Sequence, residues 1–279
     1  MSDEKAARLA AIRAANASRR AATDSDGAVA APTESEMPTA ARKQAPAGSQ
    51  PGDKAFEDMP PAMALRTLIG MLLAVALGAG VAVFALPAWL PGLSQSLLGA
   101  EPKAYWYLSR SSAFVAYILL WLSMVFGLLM TNKLARIWPG GPTAFDLHQH
   151  ASLLGLAFAL FHALILLGDR YIQATLFQVL VPFQYSGYEP LWVGLGQAAF
   201  YGLAIVGLSF YVKDRIGRRA WRLIHFLSFA IFVLALMHGI WSGSDSATDL
   251  ARAVYWGSGG SVLFLTIYRV LVARVKMER

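Results

Sequence analysis

The sequence predicts an all-α integral membrane bundle of six transmembrane helices with both termini cytoplasmic, preceded by a disordered N-terminal tail. Three observations predict this class. The 279-residue chain is 56% hydrophobic and only 15% charged, whereas ordinary soluble domains are about 45–50% apolar and about 25% charged. Six long segments are almost free of charge, and Lys and Arg concentrate in the connections on one side of them. We therefore expect the chain to lie in a lipid bilayer.

The first 60 residues differ in composition from the remainder. They combine many alanines with 8 basic and 9 acidic residues and few large apolar side chains. Such a segment cannot bury enough apolar surface to offset the entropy of ordering, so we predict a disordered cytoplasmic tail over 1–60. Docking of a partner is the alternative role for it. No apolar stretch typical of a secretory signal occurs in it.

The rest of the chain contains the membrane segments. A helix needs about 20 apolar residues to cross a bilayer core of about 30 Å. Segments of this length predict helices at about 67–88, 111–131, 148–168, 191–211, 223–241 and 253–273. The first helix and an outer loop form one part of the chain, 61–104, and the other five helices form the second, 105–279. The first and last helices contain several glycines, and Pro87 and Pro91 interrupt the first apolar run.

The distribution of charge predicts the orientation of the helices. With the N-terminus inside, the inner loops and the C-terminus hold 10 Lys and Arg residues, and the outer loops hold 4. The positive-inside rule then predicts a multi-pass protein of the plasma membrane with both termini in the cytoplasm. Positive charge placed between apolar segments is typical of membrane orientation, so we expect no nucleic-acid partner.

The chain has no cysteine and five histidines. The lack of cysteine excludes disulfides, thiolate-held iron–sulfur clusters and covalently attached haem. Any redox or metal chemistry must therefore use histidine, carboxylate or a non-covalent cofactor.

Four of the five histidines form two spaced pairs on the third and fifth predicted helices, where polar side chains are costly and usually functional. His148 and His162 are 14 residues apart, which places them on one helix face about 21 Å apart along the axis. His225 and His238 are 13 residues apart, or about 19.5 Å. Because the two helices run in the same direction, His148 lies level with His225 near the cytoplasm. His162 lies level with His238 near the outer side, so the four residues can bind the irons of two stacked b-type haems.

Other interpretations of these histidines stay open. A separation of 13 residues turns an ideal helix by about 220°, so His225 and His238 do not share a face. The four histidines could instead bond neighbouring helices together in a haem-free structural or transport subunit. Zinc is disfavoured because the two histidines of one helix are too far apart to share an ion. His150 lies about 120° from the face of His162 and is predicted not to bind the cofactor.

Three stretches around these residues resemble the ferric reductase-like transmembrane domain, the haem-binding core of ferric reductases and NADPH oxidases. They are WYLSRSSAFVAYILLWLSMVFGLL at 106–129, LHQHASLLGLAFALFHALILLGDRYI at 147–172 and RRAWRLIHFLSFAIFVLALMHGIWSGSDS at 218–246. The resemblance spans about 105–273. It implies a six-helix domain with two b haems that carries electrons from the cytoplasm to the outer face. It also implies that the inner iron is bound by His148 and His225, and the outer iron by His162 and His238.

The resemblance bears on the electron donor and acceptor as well. Fused family members continue into flavin and nicotinamide domains, whereas no G-x-G-x-x-G follows a predicted strand in this sequence. The chain resembles the stand-alone members, which include the haem-bearing membrane subunit of bacterial methionine sulfoxide reductase systems. We expect a separate cytoplasmic flavoprotein reductase to be the donor, or alternatively a membrane quinol, with flavin or quinone supplied by that partner. The expected acceptor at the outer face is a ferric chelate, oxygen or a redox protein.

Further residues are candidates for supporting roles. Arg222 lies three residues before His225 and is a candidate to bind the propionates of the inner haem, and Arg110 is the candidate for those of the outer haem. Between the histidines, Gly155 would allow a porphyrin or a helix to approach closely, and Phe229 and Phe232 could fill the space between the haems. The apolar outer segment 172–183 either shapes an acceptor site or only rests in the membrane interface.

Overall fold

The computed structural model describes residues 59–89, 91, 104–169 and 171–277. These residues belong to one compact unit, Ser49–Arg279. Residues 1–58 of the predicted tail and most of the predicted outer loop before residue 104 lie outside the described residues.

Six long helices are present, each apolar enough to cross a membrane. We label them α1 to α6 in chain order: Leu65–Trp89, Ala104–Thr131, Gly141–Gly168, Pro190–Ile216, Arg218–Ser242 and Asp249–Met277. The described residues contain no strand. The predicted all-α class and the number of spans are therefore confirmed, and each helix extends beyond the predicted apolar core.

Helix α1 contains an irregular turn where the sequence places a proline. Its regular part ends at Gly80, a π-helical turn covers Val81–Ala85, and a last α-helical turn covers Leu86–Trp89. Pro87 has no backbone N–H to donate to the preceding turn, which favours a local change of hydrogen-bond pattern at this point.

Helix α2 begins seven residues before the predicted start at residue 111, because Arg110 does not end the helix. The guanidinium of Arg110 forms an ion pair with Asp245, in the connection between α5 and α6. The same group lies 4.2 Å from the ring centroid of Trp106. The ion pair and the aromatic ring stabilise the charge of Arg110 at this position, so the helix can continue through it.

A single residue, Gly217, connects α4 to α5. Its φ of +84° belongs to a region that residues with a side chain rarely adopt. Helix α5 is in addition interrupted at Leu227, where ψ is −16°, a value typical of tighter helical turns. The interruption lies between His225 and His238, so these two residues do not belong to one continuous ideal helix.

Packing is most extensive between α2 and α3 and between α4 and α5. Helix α6 joins α2 through buried polar contacts. The hydroxyl oxygens of Tyr117 and Ser258 lie 2.6 Å apart, and the indole N–H of Trp121 donates to the Ser261 hydroxyl at 2.8 Å. In a bilayer, small residues and such hydrogen bonds take over the role that apolar burial has in soluble proteins.

We predict that Gly217→Ala lowers the thermal stability of the detergent-solubilised protein. A methyl group at a φ of +84° introduces backbone strain of about 1–3 kcal/mol. Gly207→Ala in α4 is the matched control, because a Cβ there meets no atom within 4 Å. A melting temperature that falls equally in both variants, or in neither, would contradict this account of the α4–α5 connection.

Candidate functional site

The four predicted histidines form two pairs between α3 and α5. The ring centroids of His148 and His225 are 5.8 Å apart, with an angle of 68° between the ring planes. Those of His162 and His238 are 6.1 Å apart, with an angle of 67°. The structure therefore brings together the residues that the helix directions and spacings predict as neighbours, despite the different phase of the two residues on α5.

The separation within each pair suits a metal ion between the rings. Imidazole nitrogens bind a metal at about 2.0 Å and lie about 1.1 Å from the ring centre, so two histidines on opposite sides of one ion have centroids about 6.2 Å apart. The observed separations of 5.8 and 6.1 Å are close to this value. The described residues contain no group of three or more His, Asp or Glu side chains that could hold an ion. Each pair alone supplies only two ligands, as an iron already held by a macrocycle requires.

Backbone carbonyls fix the orientation of three of the four rings. Nδ1 lies 2.8 Å from the carbonyl oxygen of Ser123 in His148 and 2.8 Å from that of Ser109 in His162. In His238 it lies 2.9 Å from the carbonyl oxygen of Trp192. Because a carbonyl only accepts, Nδ1 must be the protonated nitrogen. Nε2 then keeps its lone pair for a metal, and the hydrogen bond increases its basicity.

Two serines of α2 lie within hydrogen-bond distance of the two paired histidines of α3. The hydroxyl of Ser109 is 2.8 Å from Nδ1 of His162, and that of Ser123 is 3.1 Å from Nδ1 of His148. The two serines are 14 residues apart, the same separation as the two histidines, on the antiparallel neighbouring helix. The sequence analysis did not identify these serines. The repeated separation of 14 residues is the signal that could have found them.

His225 has different surroundings. Its ring stacks on the indole of Trp221, one turn earlier on α5, with centroids 5.3 Å apart and an angle of 28°. No carbonyl or hydroxyl partner of this ring is present among the described residues. Trp221 is, like the two serines, absent from the site residues that the sequence predicts.

Glycines allow helices to approach two of the rings. A Cβ at Gly196 of α4 would lie 2.5 Å from Nδ1 of His238, and one at Gly127 of α2 would lie 3.4 Å from His148. Gly155, by contrast, faces Leu119 and the carbonyl oxygen of Ala116 on α2. Of the two roles considered for Gly155, close packing of helices is the one the contacts favour.

A cavity of about 810 Å³ adjoins the His162–His238 pair. Its volume is within the range of about 300–1,000 Å³ that is usual for small-molecule and cofactor sites. Its lining includes both histidines, Gly155, the Arg110–Asp245 ion pair and part of the loop between α3 and α4. Arg110, the predicted propionate ligand, therefore lies at this cavity.

The loop between α3 and α4 is fixed over the cavity. Its short helix Leu176–Leu180 begins with a capping box made by Thr175 and Gln178. The amide of Gln197 on α4 donates to the carbonyl oxygens of Gln178 and Val179 and accepts from the N–H of Phe183. Several residues of the segment 172–183 line the cavity, so the loop shapes this site.

One loop tyrosine is buried as well. The hydroxyl of Tyr185 donates to the carbonyl oxygen of Ile172 at 3.1 Å. Burial, together with the nearby carboxylate of Asp169, raises the pKa of Tyr185 above its usual value. Tyr185 therefore stays neutral around pH 7 and acts as a hydrogen-bond donor within the loop.

The remaining candidates have varied positions. Arg222 is exposed, and its Nε donates to the carbonyl oxygen of Arg218. His150 is exposed, with Nδ1 2.8 Å from the carbonyl oxygen of Asp146 in its own helix. Phe232 is buried and stacks on Tyr117, with centroids 6.1 Å apart. It lies between the histidines of α5 in the sequence, as the space-filling role requires.

Three buried side-chain nitrogens have no hydrogen-bond partner among the described residues: Arg110 Nε, Gln149 Nε2 and Trp221 Nε1. All three are donors, and each lies on a helix close in sequence or in space to one of the paired histidines. Arg110 lines the cavity of His162 and His238, Gln149 follows His148 in the chain, and Trp221 stacks on His225. Buried donors are normally paired, so these three N–H groups are available to acceptor atoms of a bound molecule.

Comparison with protein-family models, with curated proteins and with solved structures finds no match to this chain.

We predict that Gly196→Ala displaces the ring of His238, because the added methyl group would lie 2.5 Å from its Nδ1. In protein produced with sufficient haem, we expect the haem content of this variant to fall from about two to about one per chain. Gly257→Ala on α6 is the control, since a Cβ there meets no atom within 4 Å. Unchanged haem content in Gly196→Ala would contradict the assignment of His238 as a ligand.

Proposed function

We propose that this chain transfers electrons across the plasma membrane through two b-type haems, from a cytoplasmic donor to an acceptor at the outer face. The observation that carries the proposal is the pair of bis-histidine sites, stacked along the same two helices at separations close to those of axial ligands. Membership of the ferric reductase-like family is part of the proposal, as is the orientation with both termini in the cytoplasm.

The groups around the pairs suit a haem. His148, His162 and His238 present Nε2 for binding, because a carbonyl accepts from each Nδ1. A haem brings two propionates, which need N–H partners. The unpartnered nitrogens near the pairs are all donors. Among them, Nε of Arg110 lies beside the cavity of the outer pair and would bind a propionate there.

The protein would contribute the positions of the two haems and an apolar medium between them. When bound, each haem supplies a one-electron iron couple. The two histidine pairs would hold the two irons at opposite depths of the bundle, because the histidines of each helix are about 20 Å apart along its axis. Tyr117 and Phe232 are buried and stack on each other, and Phe232 lies between the two histidines of α5 in the sequence, so these rings would help to keep water from the path.

The two ends of the bundle suit different partners. The end of α4 and the start of α5 carry basic residues, which form a surface suited to docking an acidic flavoprotein: Lys213, Arg215, Arg218, Arg219 and Arg222. A membrane quinol is the alternative donor. At the other end, the loop between α3 and α4 and the Arg110–Asp245 ion pair border the cavity where an acceptor would approach. The chain would then act as the electron-transfer subunit of an oxidoreductase.

The test is the haem content of the purified full chain. We expect a reduced-minus-oxidised spectrum of b-type haem and a pyridine haemochrome value of about two per chain. Replacing either histidine of one pair, as in His148→Ala or His238→Ala, is expected to leave about one, because an iron with a single axial ligand is held weakly. His150→Ala is the matched control and is expected to keep two.

A colourless protein from haem-replete cells would overturn the proposal. The histidines would then serve as hydrogen-bonding contacts between helices in a haem-free structural or transport subunit. Equal loss of haem in His150→Ala and His148→Ala would also contradict it, because His150 belongs to neither pair.

A further inference from the structure

Two of the buried, unpartnered donors lie on the two helices that carry the His148–His225 pair, Gln149 on α3 and Trp221 on α5. The indole N–H of Trp221 and the amide N–H of Gln149 have no partner among the described residues, and Gln149 is only 9% exposed. A buried N–H group without an acceptor is strongly unfavourable. Two such groups on the helices of one histidine pair indicate that a bound molecule supplies acceptor atoms to them.

The two donors approach the pair from different helices. Trp221 stacks on the ring of His225 and lies one turn before it on α5. Gln149 is the residue after His148 on α3. One donor is therefore in contact with His225 and the other is next to His148 in the chain. Both lie at the end of the bundle where the charge pattern predicts the cytoplasm.

Aromatic residues connect the two donors. The ring of Phe210 lies 6.1 Å from that of Trp221 and 6.4 Å from that of Phe145. Phe145 is one turn before Gln149 on α3, so it lies on the same helix face. The donors therefore border one apolar cluster built from α3, α4 and α5.

The segment before α1 orients the amide of Gln149. Its Oε1 accepts from the N–H of Ala62 at 2.8 Å, and the next residue, Met63, accepts from the hydroxyl of Tyr211 on α4 at 2.8 Å. The oxygen of this amide is thus used within the protein, and only its nitrogen remains for a bound molecule.

The surroundings favour an anionic acceptor. Arg222 follows Trp221 directly in the chain, and the ammonium of Lys213 lies 4.1 Å from the ring of Phe210. Two N–H donors in an apolar wall with cations at its edge are suited to carboxylate oxygens, whose hydrogen bonds gain strength from the charge.

We infer that Trp221 and Gln149 bind the propionate carboxylates of the haem held by His148 and His225. This inference rests on the proposed function, since it requires that haem. It differs from the expectation for Arg222 alone: this exposed arginine adds charge at the edge, while the two buried donors make the direct contacts. An acceptor oxygen could also belong to a separate molecule, such as a quinone, and the experiment distinguishes the two sources.

The experiment compares two porphyrins in the full chain carrying His162→Ala, in which only the haem of the His148–His225 pair is expected. Haem-depleted protein is titrated with iron protoporphyrin IX and with its dimethyl ester, which has no carboxylate. Trp221→Phe keeps an aromatic ring for stacking but removes the N–H. Gln149→Glu keeps an oxygen for the N–H of Ala62 but replaces the donor with a carboxylate.

We expect Trp221→Phe and Gln149→Glu each to weaken binding of iron protoporphyrin IX about tenfold or more, the usual effect of losing a hydrogen bond to a charged group. Binding of the ester is expected to change little, because it presents no carboxylate. The matched controls are Trp256→Phe and Gln184→Glu, which alter exposed residues of α6 and of the outer loop. The controls are expected to bind both porphyrins as the parent does.

Equal weakening for both porphyrins, or no weakening for either, would overturn the inference. In both cases the two donors would serve the fold or a separate acceptor molecule. Since the two porphyrins are compared within one variant, a general loss of folding cannot imitate the expected difference. Failure of the proposed function gives a different result, namely that the parent chain binds neither porphyrin at the His148–His225 pair.

Discussion

The hydrogen bond from an imidazole Nδ1 to a backbone carbonyl of a neighbouring helix is the interaction on which the site depends. It occurs at His148, His162 and His238. Within a bilayer no water competes for the carbonyl, so the bond determines both the tautomer and the direction of the ring. The two bonds between α2 and α3 join residues that are 14 positions apart on both helices. A shift of one helix along the other by a single residue would therefore break both.

The fourth histidine, His225, is held in a different way. His225 is positioned by stacking on Trp221, at the same end of the bundle as the unpartnered donors of Trp221 and Gln149. The opposite end is arranged differently, with carbonyl-bonded rings, a cavity and an arginine paired with Asp245. The two levels of the bundle thus offer different surroundings to whatever they bind. Different surroundings are the means by which a protein gives two chemically identical haems different reduction potentials.

Hydropathy and charge were sufficient to predict the six helices, because each must cover the bilayer with apolar side chains. The ends of the helices were less predictable. Helix α2 starts before Arg110 because of Asp245, which is 135 positions away in the chain, and no local pattern contains that contact. The pairing of the histidines could be predicted from their spacing and the parallel direction of α3 and α5. The turn at Leu227 between the histidines of α5 could not.

Among the supporting residues, too, some could be predicted from the sequence and others could not. Arg110 could be proposed from its place at the end of a predicted helix, because it is a charged residue beside a long apolar segment. Ser109, Ser123 and Gly196 could not, since serine and glycine are common in membrane helices for packing reasons alone. Their contacts with the histidines are visible only when neighbouring helices are in place. The same is true of Gln149, whose amide is oriented by the backbone N–H of Ala62, 87 positions earlier.

The central claim is that the two histidine pairs together form a path for electrons across the membrane. The most direct measurement uses the full chain in liposomes that contain trapped dithionite, with ferricyanide added outside. We expect the unaltered protein to reduce the external ferricyanide. We also expect His148→Ala and His162→Ala each to lower the rate to that of empty liposomes, because each removes one of the two levels. A rate unchanged by either substitution, or an unaltered protein with two haems that transfers no electrons, would contradict the central claim.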